Sequence, residues 1–211
     1  SSVTGVQTCA LPICLKDPLV LASNSAARQR LLSEAGVPFI IQPANIDERE
    51  IERDLNSKSA DLIAQTLART KALTVSKQFK NRLVLGADQV ASCEGKVFGK
   101  AENINMAREL LFALSGKTHR LHSALCLVKN DTIIFQTLAH ADLHVRQMTS
   151  QFIDTYIEEM GDKILSSAGG YQIEALGAQL FSSIEGDHWT IMGLPILPLL
   201  EALRHEGALI S

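Results

Sequence analysis

The sequence predicts an α/β fold, and three observations carry that prediction. Short apolar runs suited to buried strands, Leu19–Ala22 and Leu83–Leu85, alternate with stretches whose apolar residues recur at helical spacing. Two longer segments, Arg120–Val128 and Thr132–Gln147, read as strands joined around a turn at Lys129-Asn130-Asp131. Gly36, Gly116 and Gly161 each follow a helical stretch as its stop.

Bulk properties narrow the class. A chain of 211 residues can bury one sizeable core or two closely packed lobes, and 46% hydrophobic with 20% charged residues fits an ordinary soluble globular protein. The net charge is −3 and there is no lysine- or arginine-rich block, which argues against a nucleic-acid backbone binder and a polybasic membrane anchor. No apolar run approaches the roughly 18 residues that span a bilayer. The four cysteines, Cys9, Cys14, Cys93 and Cys126, form no Cys-x-x-Cys pair and no metal spacing with histidine. Cys93 and Cys126 fall in predicted strands, as small buried hydrophobes in a reducing, cytoplasmic compartment.

Val3–Ile13 reads as the in-frame translation of a sequencing-library adapter and carries no charged n-region of a signal peptide. Residues 1–14 are therefore expected to be a non-native leader, and residues 15–211 a single domain.

Along the chain, the Leu19–Ala22 strand runs into Ser23-Asn24-Ser25, a turn able to cap a helix carrying Arg28, Leu31, Leu32 and Ala35. A strand passing through serines into a helix N-terminus builds an anion site from free backbone N–H groups and the helix dipole. Arg28 in that first turn opposes the dipole, so it is either a solvated surface residue or a partner for a bound phosphate. Pro38–Ile41 reads as a second strand. The acidic run Ile46-Asp47-Glu48-Arg49-Glu50 after it reads as a solvated loop, one carboxylate of which can hold a metal ion.

The next helix, Ser59–Lys77, has an apolar stripe through Ala60, Ile63, Ala64, Leu67, Ala68, Ala72 and Val75 that Lys71 interrupts. A lysine on a buried face either snorkels to the helix edge or meets an anion in a cleft. The strand Leu83–Leu85 then stops at Gly86-Ala87-Asp88, which places a carboxylate at the strand's carboxyl end, where α/β sheets bind ligands. The small Gly86 and Ala87 leave room for a substrate beside Asp88; the bland alternative is that Asp88 starts a turn. Val90–Cys93, a turn at Glu94-Gly95-Lys96 and Val97-Phe98 form a hairpin that brings Lys100 toward Asp88.

A helix capped near Asn103 buries Ala107, Leu110, Leu111 and Leu114. Ser115-Gly116-Lys117-Thr118 ends it and is not a P-loop, because position 111 is leucine and the segment closes a helix rather than opening one. His140, Asp142 and His144 alternate on one strand face, which reads as a solvated face rather than a metal site. A helix from Ser150 to Met160 leads to the glycine-punctuated loop Ser167–Gly177, which carries Glu174. A strand at Gln179–Ile184, a glycine-bounded loop Gly186–Gly193 and a terminal helix opened by Pro195 complete the order.

Taken in order, Ser23-x-Ser25-x-x-Arg28, Asp47-Glu48, Arg69-x-Lys71-Ala72, Leu85-Gly-Ala-Asp88-Gln89, Gly99-Lys100, Leu114-Ser-Gly-Lys-Thr-His119, Ala168-Gly-Gly-Tyr171, Glu174 and Met192-Gly-Leu-Pro195 resemble the Maf family of nucleoside triphosphate pyrophosphatases. The resemblance covers Leu19 to Leu203. It implies a two-lobed α/β fold like the inosine triphosphate pyrophosphatases, with an elongated mixed sheet, flanking helices and a central cleft. It implies Asp88 as the catalytic proton acceptor, Ser23, Arg28, Lys71 and Lys100 as phosphate contacts, and Glu48 with Asp88 as ligands of a divalent cation, Mg²⁺ or Mn²⁺. Ala26 and Ala27 stand where the family often has Pro and Arg. Gln89 and Glu174 look like the branch associated with 7-methyl-GTP rather than that for thymidine and uridine triphosphates.

The partners implied are a nucleoside triphosphate, no nucleic acid and no membrane, with a homodimer left open. No serine or cysteine with a paired histidine is evident, so the expected chemistry is direct attack by water. The rival readings are a non-catalytic nucleotide-binding regulator of cell division and an enzyme for inosine or xanthosine triphosphate.

Overall fold

A computed structural model describes residues 17–55, 59–165 and 167–210. The leader assigned to residues 1–14 lies outside the described residues. Among the described residues seven strands form one mixed sheet: β1 (Leu19–Leu21), β2 (Phe39–Ile41), β3 (Leu83–Cys93), β4 (Lys96–Phe98), β5 (Thr118–Lys129), β6 (Thr132–Val145) and β7 (Phe181–Glu185). Their order is β2-β1-β3-β5-β6-β7, with β4 paired to β3. β1 is parallel to β2 and β3, and every other pairing is antiparallel.

Among the described residues seven α-helices flank the sheet: α1 (Ala26–Glu34), α2 (Glu48–Leu55), α3 (Ala60–Ser76), α4 (Ile104–Leu114), α5 (Ser150–Met160), α6 (His188–Ile191) and α7 (Ile196–His205). The period-two alternation of β3 and β5 separates them by face. Leu85, Ala87, Leu125 and Leu127 pack with residues of α1 and α7, and Ala91 and Leu121 on that same face pack with residues of α4 and α5. On the opposite face Val90, Ala124, Cys126 and Val128 meet Ile63, Ala64, Leu67, Ala68 and Ala72 of α3. The face shared by the two end cores thus has an apolar cluster at each end of β3 and β5, with Gln89 and Ser123 between them. Each fully buried Leu or Ile in these cores contributes roughly 1.5–3 kcal/mol relative to exposure.

β3 differs from its predicted form. It continues through Gly86, Ala87 and Asp88 to Cys93, and β5 pairs with it all the way, Asp88 opposite Ala124. Asp88 is therefore mid-strand. The other edge of β3 is occupied only by β1, opposite Val84 and Leu85, and by β4, opposite Ala91, Ser92 and Cys93. Between them, at residues 86–90, no described strand pairs with that edge, so the carboxyl end of β1 opens onto Asp88. Gly86 serves packing rather than substrate approach: a Cβ there would lie 2.1 Å from the Ala68 carbonyl oxygen and 2.6 Å from Ala72 N. Ala87, fully buried, belongs to the core on the other face.

Two predicted loops are helical. Asp47 Oδ1 accepts from the Glu50 N–H at 3.0 Å, and Glu48 and Glu50 stand in the first turn of α2, where acids suit the helix dipole. Asp187 caps α6 through the Thr190 N–H at 2.8 Å, inside the segment bounded by Gly186 and Gly193. Gln179 and Leu180 lie in a short 3₁₀ turn, so β7 begins at Phe181. The turn at Asn130 and Asp131, both at positive φ, has the two-residue geometry that favours right-twisted hairpins. Cys126 is buried as expected; Cys93 is half-buried, and both are free. Among the described residues no helix is long and apolar enough to cross a membrane.

Candidate active site

The gap along β3 opens into a cleft of about 800 Å³, and Ser23, Arg28, Glu48, Lys71, Asp88, Gln89, Lys100 and Glu174 all line it. The structure thus brings together, from seven separate elements and loops, every residue singled out for the site.

The α1 end is fixed by serines. Ser25 caps α1, accepting from the Arg28 N–H at 3.5 Å, and Ser23 Oγ accepts from the Ser25 N–H at 3.2 Å and from Arg28 Nη1 at 3.0 Å. Arg28 Nε donates to the Gly193 carbonyl at 2.9 Å. Arg28 is consequently buried, not a solvated surface residue, and its guanidinium is held between the first turn and the loop after α6. Burial works against its charge, while Asp88 and Glu48 favour it. Gly193 stands at φ +90°, a left-handed backbone that favours glycine; a Cβ there would make ordinary contact with Gln89 Oε1 at 3.6 Å and Arg28 Nη2 at 3.7 Å.

Lys71 resolves the other ambiguity in favour of the cleft. Its Nζ donates to Asp88 Oδ1 at 2.6 Å and meets Glu48 Oε1 at 2.7 Å, and only 7% of the residue is exposed. The position that breaks the α3 stripe carries the cation that joins two acids. Asp88 has its proton affinity raised, first by burial; Lys71 and Arg28 act against that rise and Glu48 adds to it. Glu52, one helical turn beyond Glu48, is likewise raised by burial and by the Asp88 and Glu48 charges. Two carboxylate oxygens converging on one ammonium form a hard oxygen donor set of the kind that suits Mg²⁺ or Mn²⁺, so Glu48 and Asp88 fit a divalent cation.

Lys100 is exposed at the cleft margin and makes no ion pair with a described residue. Gln89 faces away from Asp88: its Nε2 donates to Ser123 Oγ (2.8 Å) and to the Thr190 and Ile191 carbonyls (2.9 and 3.1 Å). It ties α6 to the sheet, and its Oε1 is the end turned toward Gly193. Glu174 lies at the rim, 3.3 Å from Arg30 Nη2.

Arg30, His119 and Tyr171 have no role in the sequence reading, although His119 and Tyr171 stand in its ordered motifs. Arg30 carries no pattern beyond lying two residues after Arg28. Tyr171, behind two positive-φ glycines, lines the cleft, and its hydroxyl lies 2.6 Å from Nε2 of the fully buried His119. Burial lowers the His119 pKa to about 4 and raises that of Tyr171. A serine paired with a histidine also exists, contrary to expectation: Ser92 Oγ lies 2.8 Å from His122 Nε2, outside the cleft lining. The three residues alternating on β6 have separate partners, two on β5 and one on α3. Asp142 pairs bidentately with Arg120, His144 lies 2.8 Å from Thr118 Oγ1, and His140 joins Asp61 at 2.7 Å.

The Maf-like protein family matches residues 18–206. The chain is similar to a nucleoside triphosphate pyrophosphatase of Rhodopseudomonas palustris (strain BisB18), 47% identical over 192 residues that cover 91% of this chain and 95% of the relative. It is similar to a 7-methyl-GTP pyrophosphatase of Rhizobium johnstonii, 46% identical over 193 residues covering 90% and 97%. Among solved structures, a HAM1 protein from Coxiella burnetii aligns with a TM-score of 0.44 and 16% identity, over 62% of this chain and 74% of that one. With a match along nearly its whole described length, the chain belongs to the Maf family.

Proposed function

We propose that this protein hydrolyses a nucleoside 5′-triphosphate to the monophosphate and diphosphate, in the cytoplasm. The observation that carries the reading is the meeting of Glu48, Lys71 and Asp88 at one point of a cleft that also holds Arg28 and Lys100. The names carried by relatives at nearly half identity support the same reaction.

Asp88 is the base. It accepts the proton of a water whose oxygen attacks the α-phosphorus; the bond to the bridging oxygen breaks, and diphosphate leaves with the electron pair. Lys71, already against Asp88, lowers the cost of holding that carboxylate ionised in a buried place and presents its ammonium to the phosphates. Arg28, oriented by Ser23 and Gly193, and the mobile-stemmed Lys100 neutralise charge that builds on the departing diphosphate. Glu48 and Asp88 would hold a divalent cation, Mg²⁺ or Mn²⁺, which would supply neutralisation of the triphosphate and acidification of the water. Ser23, rather than attacking, orients Arg28.

Glu174 and Gln89 lie at the base end. A 7-methylguanine carries positive charge, which the Glu174 carboxylate favours over a neutral base, so substrates like 7-methyl-GTP are preferred. Hydrolysis in ¹⁸O-labelled water tests the bond assignment: the label enters the monophosphate if the α-phosphorus is attacked, and the diphosphate if the proposal is wrong.

A further inference from the structure

Outside the cleft, three elements converge on a single carboxylate. Asp61 Oδ1, in the first turn of α3, lies 2.6 Å from His122 Nδ1 of β5 and 2.7 Å from His140 Nε2 of β6. The two histidines face one another directly in the β5–β6 register, with ring centroids 5.1 Å apart and planes perpendicular. Each N···O contact is short enough to need a proton between its atoms, and a divalent ion at the centre replaces both protons. The three ligand atoms all lie within 4.8 Å of one another. A tetrahedral ion with bonds of about 2.0–2.2 Å sets its ligands about 3.3–3.6 Å apart, so an ion entering between them widens these two contacts by about 0.6–1 Å.

The set is also supported from behind. Ser92 Oγ, 2.8 Å from His122 Nε2, accepts from that nitrogen in the tautomer that leaves Nδ1 free to ligate, and it fixes the ring. His122 is buried, and Asp61 and His140 are partly open to solvent, which leaves an entry path and room for a water as fourth ligand. Arg120, the neighbouring cation, is engaged by both oxygens of Asp142. Two imidazoles and one carboxylate are borderline ligands that suit Zn²⁺, unlike the all-oxygen pair Glu48 and Asp88.

We propose that Asp61, His122 and His140 form a second metal site, for Zn²⁺ or a similar transition-metal ion, that clamps the start of α3 to β5 and β6. The chain Ser92, His122, Asp61 has the order of a nucleophile relay, but here the acid serves two imidazoles through one oxygen, an arrangement made for an ion rather than for one proton path.

The test uses the full chain carrying Asp88→Asn, which weakens the cleft's own cation site, titrated with Zn²⁺ by calorimetry and with Co²⁺ by visible absorption. The expected result is one equivalent bound, with tetrahedral Co²⁺ bands and no thiolate charge-transfer band. Adding His140→Ala, a partly exposed position, abolishes that binding with an unchanged circular dichroism spectrum, and Ser92→Ala weakens it about tenfold. Absence of stoichiometric binding, or binding indifferent to His140→Ala, would show a hydrogen-bonded cluster only and overturn the proposal. Covalent labelling of Ser92 by a fluorophosphonate would overturn it in favour of a nucleophile.

Discussion

Lys71 Nζ sits 2.6 Å from Asp88 Oδ1, an ion pair in which both side chains are about nine-tenths buried. Taking two charges out of water is costly, and a buried pair of this kind is weak evidence for stability. Its value lies in function: the ammonium favours the ionised carboxylate at a place where burial alone opposes it. Glu48, reaching the same ammonium from α2, makes the pair a three-charge centre.

Lys71→Met removes the nearest cation from Asp88. The pKa of Asp88, already raised by burial, then rises further, so the acid limb of kcat/KM moves to higher pH. The rate at the optimum falls by about 10²–10³ with loss of a preplaced electrostatic contact. A pH–rate profile of both proteins checks the direction, and an unmoved acid limb would separate Lys71 from Asp88.

His119 is neutral in the folded protein because burial lowers its pKa from 6.5 to about 4. The unfolded chain binds a proton as pH falls below 6.5 and the folded one does not until about 4, so this stability is present above 6.5 and is lost downward through that window. Between about pH 7.5 and about pH 5 the loss is about 2 kcal/mol. Urea unfolding at the two values measures it, and His119→Gln removes this part of the acid sensitivity.

Gly86→Ala places a methyl 2.1 Å from the Ala68 carbonyl oxygen, on helix backbone that cannot step aside. The expected cost is about 3 kcal/mol or more of stability. Denaturant midpoints measure it. A neutral substitution would mean that α3 does not rest on β3 there.

Glu174→Gln removes the cleft carboxylate that the proposed function sets against the base. Preference for 7-methyl-GTP over a triphosphate with an uncharged base, as a ratio of kcat/KM, is expected to fall about tenfold, or about 1.4 kcal/mol. Competition between the two substrates measures the ratio directly.

How far the site was legible depends on the kind of signal each residue gives. Lys71 announces itself, because a charge on an otherwise apolar helical stripe demands a partner, and Ser25 and Arg28 stand where a strand-to-helix turn makes an anion site. Glu48 was readable only through family resemblance, since an acidic run looks the same as a solvated loop and as the first turn of α2. The mid-strand place of Asp88 was hidden because Gly86-Ala87 resembles a strand end; contact with α3 explains Gly86, and Ala87 belongs to the core on the other face. The cluster of Asp61, His122 and His140 depends on the exact β5–β6 register and on where α3 begins, neither of which local pattern encodes. His140 in isolation reads as a solvated residue for that reason.

In the proposed reaction the carboxylate joined to Lys71 drives release of diphosphate. The most direct measurement is diphosphate and monophosphate formed from a panel of nucleoside triphosphates with Mg²⁺, by the intact protein and by Asp88→Asn. Equal amounts of the two products from the intact protein, with a rate reduced by about 10²–10⁴ in the variant and binding retained, are predicted. Tight nucleotide binding with no product from the intact protein, or an undiminished rate in the variant, would contradict it.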